Sequence, residues 1–188
     1  MDEIAAARAA LARFTDVYAA QSVPLDVEEL AGSLCRLRVR DADDLCPIAG
    51  LASETPLSGV LLPRRFEIWV RRDESPARRR FTVAHEVGHH LLHSDGAAVL
   101  CRPVDVVGAD TGEKTRERQA NRFAAELLMP EPLVREHADR DGPDPIALAA
   151  RFGVSDIAMG FRLVNLEYLT ELPVGIQAEL DRWRAPEV

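Results

Sequence analysis

The stretch HEVGHHLLH, residues 85–93, constrains this chain more than any other. Two imidazoles four positions apart act on one point only when the backbone between them is helical, because i and i+4 lie one turn apart on one face. The spacing of His85 and His89 therefore demands a helix. The flanks supply one: Ser75 is a candidate N-cap, Pro76 suits the first helical position, and Gly96 offers a stop. Four of the chain's five histidines fall between His85 and His93, so the question is which of them share a task.

Zinc takes nitrogen ligands at roughly 2.0–2.1 Å in tetrahedral geometry, and His85 and His89 can supply two corners. Glu86 lies three residues before His89 on the same side of the helix. It can reach a water whose pKa the metal lowers from ~15.7 toward about 7. A His-Glu-x-x-His pattern arises by chance in about one chain in a hundred of this composition, so it counts only if the site can be completed. A catalytic zinc takes three protein ligands and keeps one position open. His93 continues the row but lies roughly 12 Å from His85 along the axis, too far for a straight helix to close. His90 points about 100° away from His89. The pattern with a third histidine six residues after the second fails, because Asp95 stands there.

The third ligand must come from another element. In ERQANRFAAELLMP, 28 residues after His89, Glu117 and Asn121 share one face of a helix that Pro130 ends. Glu117 can ligate, while Asn121 can accept a ring N–H from a ligand histidine or orient the carboxylate. Glu113 and Glu126 on the same helix, and Asp95 and Asp105 in loops, remain rivals.

Taken together, RFTVAHEVGHHLLH and ERQANRFAAELLMP closely resemble the ImmA/IrrE family of zinc-dependent metallopeptidases. The match is close over 80–93 and 117–130, and weaker over the upstream strands and LAARFGVS. The resemblance implies that His85, His89 and Glu117 bind zinc and that Glu86 is the catalytic base. The family motif retains a histidine at His93, as a contact to the site or to substrate; a helix C-cap explains it equally well. A family position that is often acidic is Gln119 here. The resemblance further implies cleavage of a helix-turn-helix repressor that silences stress-response or mobile-element genes. Some relatives carry a C-terminal sensor domain, for which 188 residues are expected to leave no room.

Around these helices the pattern is α+β. Ile4, Ala7, Leu11, Phe14 and Val17 line one face of a first helix, and Asp26 caps a second. CRLRVRDAD, Gly59–Leu62 and Phe66–Val70 read as strands, the last two joined by a tight turn at 63–65. The expected fold is a zincin-like core over residues 1–140, with a small, about three-stranded antiparallel sheet packed on helices. Residues 141–188 are expected to form a C-terminal helical, helix-turn-helix-like subdomain. Two of its helices join around Gly153.

Composition narrows the rest. No apolar run is long enough to span a bilayer, and the acidic, alanine-rich start is unlike a secretory signal, so a cytoplasmic protein is expected. Cys35, Cys46 and Cys101 are odd in number and widely spaced, which suits buried thiols. A redox-sensitive ligand at Cys101 is the sharper alternative. The net charge of −8 argues against a general nucleic-acid binder. AxxFGVS resembles a helix-turn-helix turn, but the following helix offers Arg162 alone as a basic contact, so direct DNA binding is not expected. The alternative is a non-catalytic regulator that keeps the fold and binds the repressor or its operator. Arg78–Arg80 read as a solvated face or a steering patch. Neither Tyr18 nor Tyr168 is placed near the metal by any pattern.

Overall fold

The computed structural model describes residues 2–18, 23–52, 56–93, 99–101 and 112–184. Two helices precede the sheet. Helix α1 (Glu3–Tyr18) buries Ala7, Leu11 and Phe14, as its periodicity predicts, with Ile4 half-buried; the side chain of Val17 is outside the described residues. Helix α2 (Val27–Cys35) starts at Asp26, whose carboxylate accepts the Glu29 N–H at 3.0 Å. The expected strands follow as β1 (Arg38–Ala42), β2 (Gly59–Leu62) and β3 (Glu67–Arg71), with a single helical turn, α3 (Cys46–Ala49), between β1 and β2. Pro63–Arg65 form a 3-10 turn that closes the β2–β3 hairpin.

The sheet departs from the expectation in two ways. Among the described residues it has four strands, because β4 (Val99–Cys101) adds to the free edge of β2, and it is mixed rather than antiparallel. The order is β1-β3-β2-β4, with β1 parallel to β3 and Arg38 opposite Glu67. Both β2 pairings are antiparallel. The chain leaves β1 through α3 and returns as a hairpin, so the strand beside β1 is the second of that hairpin and runs in its own direction. Alternation divides the sheet's faces. Leu61, Ile68 and Val70 join the main core with Val83, Ala84 and Val87. Val60, Leu100 and Trp69 join a small outer cluster with Leu45, Cys46 and Leu57.

Helix α4 (Pro76–Leu92) crosses the inner face, and α5 (Gly112–Leu128) lies against it. The Ser75 hydroxyl accepts the Arg78 N–H at the start, and His93 is the C-cap, so the helix stops before the expected Gly96. The Arg78–Arg80 run is not a solvated face. Arg79 is clamped by Glu28 at 2.8 Å and by Asp41, and Arg80 donates to the Gly153 carbonyl at 2.9 Å. Two close approaches set the helix positions. A Cβ at Gly59 would lie 2.4 Å from Thr82 Cγ2 and 3.2 Å from Glu86 Oε1, so β2 touches α4 only because no side chain stands there. A Cβ at Gly88 would lie 3.0 Å from Phe123 Cδ1 and 3.3 Å from the Ala120 Cα, which lets α4 and α5 meet backbone to backbone.

After Pro130 the chain continues through α6 (Glu131–Asp141), α7 (Pro145–Phe152), α8 (Asp156–Asn165) and α9 (Val174–Arg184). Asp144 and Ser155 cap α7 and α8, and Gly153 adopts φ 65° between them. Leu148, Phe152, Met159 and Leu163 belong to the same buried cluster as α1 and α5. Each such side chain contributes about 1.5–3 kcal/mol by leaving water. Cys35, Cys46 and Cys101 are buried and form no disulfide. Among the described residues no helix is long and apolar enough to cross a membrane.

Candidate metal centre

The crossing of α4 and α5 brings His85, His89 and Glu117 together. One ligand atom from each lies within 4.8 Å of the others. The two Nε2 atoms face each other at 3.0 Å, and Glu117 meets them at 3.0 Å from His85 and 3.1 Å from His89. Ligands of a tetrahedral ion at the usual zinc distances stand ~3.3 Å apart, so this triangle matches the footprint of one cation. Both histidines are buried, and burial lowers the His89 pKa, favouring the neutral ring that a metal requires. Burial works against a charge on Glu117, but the two imidazoles outweigh it and hold its carboxyl below the ordinary range.

Glu86 stands apart from its neighbours in chemistry. It is fully buried, and neither carboxyl oxygen has a hydrogen-bond partner. Burial, followed by the charge of Glu117, pushes its pKa well above the usual carboxylate value. Among the described residues, the buried side-chain oxygens left without a partner are Thr82 Oγ1 and both of Glu86, while Glu117 Oε2 faces the His85 ring nitrogen at 3.0 Å. All lie in this one place, where such orphans cost about 1–3 kcal/mol each in a finished core. The donor set of two imidazoles and a carboxylate, with partnerless oxygens beside it, fits a divalent cation.

The flanking residues fall into two groups. Asn121 Oδ1 lies 2.9 Å from His85 Nδ1, on the side of the ring away from the triangle. His93 Nδ1 is 3.1 Å from His89 Nδ1, and its Nε2 is 3.0 Å from Gln119 Oε1, a contact no spacing pattern reveals. His90 is half-buried and outside the cluster. The rival Glu126 is engaged elsewhere, by Arg8 at 2.8 Å and by Arg162. Tyr168 donates to Asp139 at 2.5 Å rather than entering the site. Asp95 and Asp105, and the side chains of Tyr18 and Glu113, are outside the described residues.

Comparison with known proteins adds to this geometry. The M78 peptidase model, described as the IrrE N-terminal-like domain, matches residues 53–164. Two radiation response metalloproteases named IrrE, from Deinococcus radiodurans and Deinococcus deserti, are each 34% identical over 116 residues, or 62% of this chain. The chain spans 35% of the first and 41% of the second. A transcriptional regulator from Mycobacterium tuberculosis shares the fold, with a TM-score of 0.57 and 23% identity over 85% of this chain and 46% of its own.

Proposed function

The chain belongs to the ImmA/IrrE family, with the IrrE N-terminal-like domain over residues 53–164, and on that premise we propose that it is a zinc-dependent endopeptidase. The reading assigns residues 1–140 to a zincin-like catalytic unit and 141–188 to a helix-turn-helix-like helical subdomain beside it. His85, His89 and Glu117 would hold the zinc, a gluzincin-like set, leaving one position open. When bound, zinc supplies Lewis acidity, polarising a carbonyl and acidifying a water.

The protein's own part is proton handling by a buried carboxylate. Glu86 takes a proton from the attacking water on its carboxylate and passes it to the leaving amine nitrogen. Its burial, followed by the charge of Glu117, raises its pKa well above the usual carboxylate value, which favours its holding the proton between the two transfers. Asn121 accepts the Nδ1–H of His85 and keeps that ring turned toward the centre. His93 contacts the site through His89. The observation that carries the reading is the fully buried, partnerless Glu86 beside a triangle of two imidazoles and a carboxylate.

The substrate class we propose is a helix-turn-helix repressor, and the compartment the cytoplasm. Co-incubation with helix-turn-helix repressors from the same genome, followed by mass spectrometry, is expected to show one defined cut in one of them with wild-type protein and none with Glu86→Gln. An intact repressor that nonetheless co-purifies with wild-type protein would favour a non-catalytic binding role. A DNA-binding role finds little support in α8. Its sole basic residue, Arg162, is turned inward, donating to the Met129 carbonyl at 3.0 Å and pairing with Glu126.

A further inference from the structure

We propose that Gln119 and His93 are positioning residues that fix the tautomer and tilt of His89, and so set how firmly the centre holds its metal. The inference rests on reading His85, His89 and Glu117 as metal ligands. A neutral imidazole that gives Nε2 to a cation carries its proton on Nδ1. That proton needs an acceptor, or the ring is free to turn. For His85 the acceptor is one step away, at Asn121 Oδ1, 2.9 Å from Nδ1.

For His89 the neighbour of Nδ1 is another ring nitrogen, His93 Nδ1, at 3.1 Å. Two nitrogens sharing one contact hold one proton between them. Since His89 supplies it, His93 Nδ1 is bare, and the proton of the neutral His93 ring sits on Nε2. That atom lies 3.0 Å from Gln119 Oε1, an oxygen that accepts and cannot donate. With His89 Nε2 given to the metal and the Gln119 oxygen turned to His93, the chain runs one way, from His89 through His93 to Gln119. The backbone reinforces it, because His93 caps α4 and its N–H donates to the His89 carbonyl at 2.9 Å. Gln119 sits on α5, the helix that also carries Glu117 and Asn121. One helix thus provides a ligand, the anchor of His85 and the terminus of the His89 chain.

The test is zinc affinity, measured by competition of zinc ions against a chromophoric chelator, with the melting temperature of each metal-free variant as a fold control. Wild-type protein is expected to bind one equivalent. Gln119→Met keeps length and volume but has no acceptor, and is expected to bind about 10- to 100-fold more weakly at unchanged metal-free melting temperature. Gln119→Glu restores an acceptor oxygen and is expected to stay near wild type. His93→Phe and the double variant His93→Phe/Gln119→Met are expected to match each other, because Gln119 acts only through His93. Nitrogen-15 NMR of the zinc-loaded protein is expected to place the His89 proton on Nδ1 and the His93 proton on Nε2. Wild-type affinity in Gln119→Met, or a His93 proton on Nδ1, would overturn the proposal while leaving the metal reading intact. A wild-type protein that binds no zinc would overturn both.

Discussion

Glu86 on α4 and Glu126 on α5 are both sealed from solvent, yet they sit in opposite electrostatic surroundings. Glu126 accepts from Arg8 at 2.8 Å and pairs with Arg162, which is itself nearly buried and tied to the Met129 carbonyl. Those contacts join α1, α5 and α8. Glu86 has no hydrogen-bond partner among the described residues, and the charge that acts on it is the like-signed Glu117. A buried carboxylate with two arginines holds helices together. One left bare is a standing cost, which a fold retains at a place where chemistry needs it.

Removing the arginine-paired carboxylate is expected to have the largest effect. Glu126→Ala leaves the Arg162 charge buried and uncompensated, and is expected to cost ~3–5 kcal/mol in urea unfolding. Any activity is expected to vanish with the fold. Glu86→Gln inverts that result. Metal-free stability is expected to move by less than about 1 kcal/mol, since one unsatisfied polar group replaces another. Peptidase activity is expected to fall by about 10²–10⁴-fold with zinc retained. A Glu86→Gln protein as unstable as Glu126→Ala would erase the distinction between the two sites.

Gly59→Ala sharpens the contrast, because its new methyl would press on Thr82 and Glu86 but not on Glu126. It is expected to cost ~1–3 kcal/mol, with a loss of activity larger than the loss of folded protein explains. Glu67 supplies a third case. It is buried on β3, and although burial opposes its charge, the Trp69 N–H and then Arg65, Arg40 and Arg38 outweigh that and lower its pKa. A depressed folded pKa adds stability above the unfolded value of about 4.3, and that stability is lost as pH falls through the folded pKa. Arg40→Ala/Arg65→Ala is therefore expected to flatten the acid limb of a stability–pH curve while leaving the difference between Glu86 and Glu126 unchanged.

Much of this was legible in the residues because the decisive relations are local. The four-residue step from His85 to His89 dictates a shared face, and the same step links Glu117 to Asn121. Strands β1 to β3 carry enough alternation to be read, whereas the three residues of β4 do not. The parallel β1–β3 pairing depends on the path of the intervening chain, which no window of sequence contains. The same holds for Arg79 and Arg80, whose partners lie 38 to 73 positions away. Glu126 looked like a rival ligand because it shares a helix with Glu117, and only the packing of α1 and α8 shows that its charge is spent. Gln119 carries no periodic signal toward His93, since their contact exists only where α4 and α5 cross.

On this reading His85, His89 and Glu117 together hold one zinc ion. Plasma mass spectrometry of protein purified without chelators tests it most directly, run side by side on wild type, Glu117→Ala and Glu86→Gln. One equivalent of zinc is expected in wild type and in Glu86→Gln, and a loss of zinc in folded Glu117→Ala. Wild-type protein without a divalent metal, or zinc held undiminished in Glu117→Ala, would contradict it.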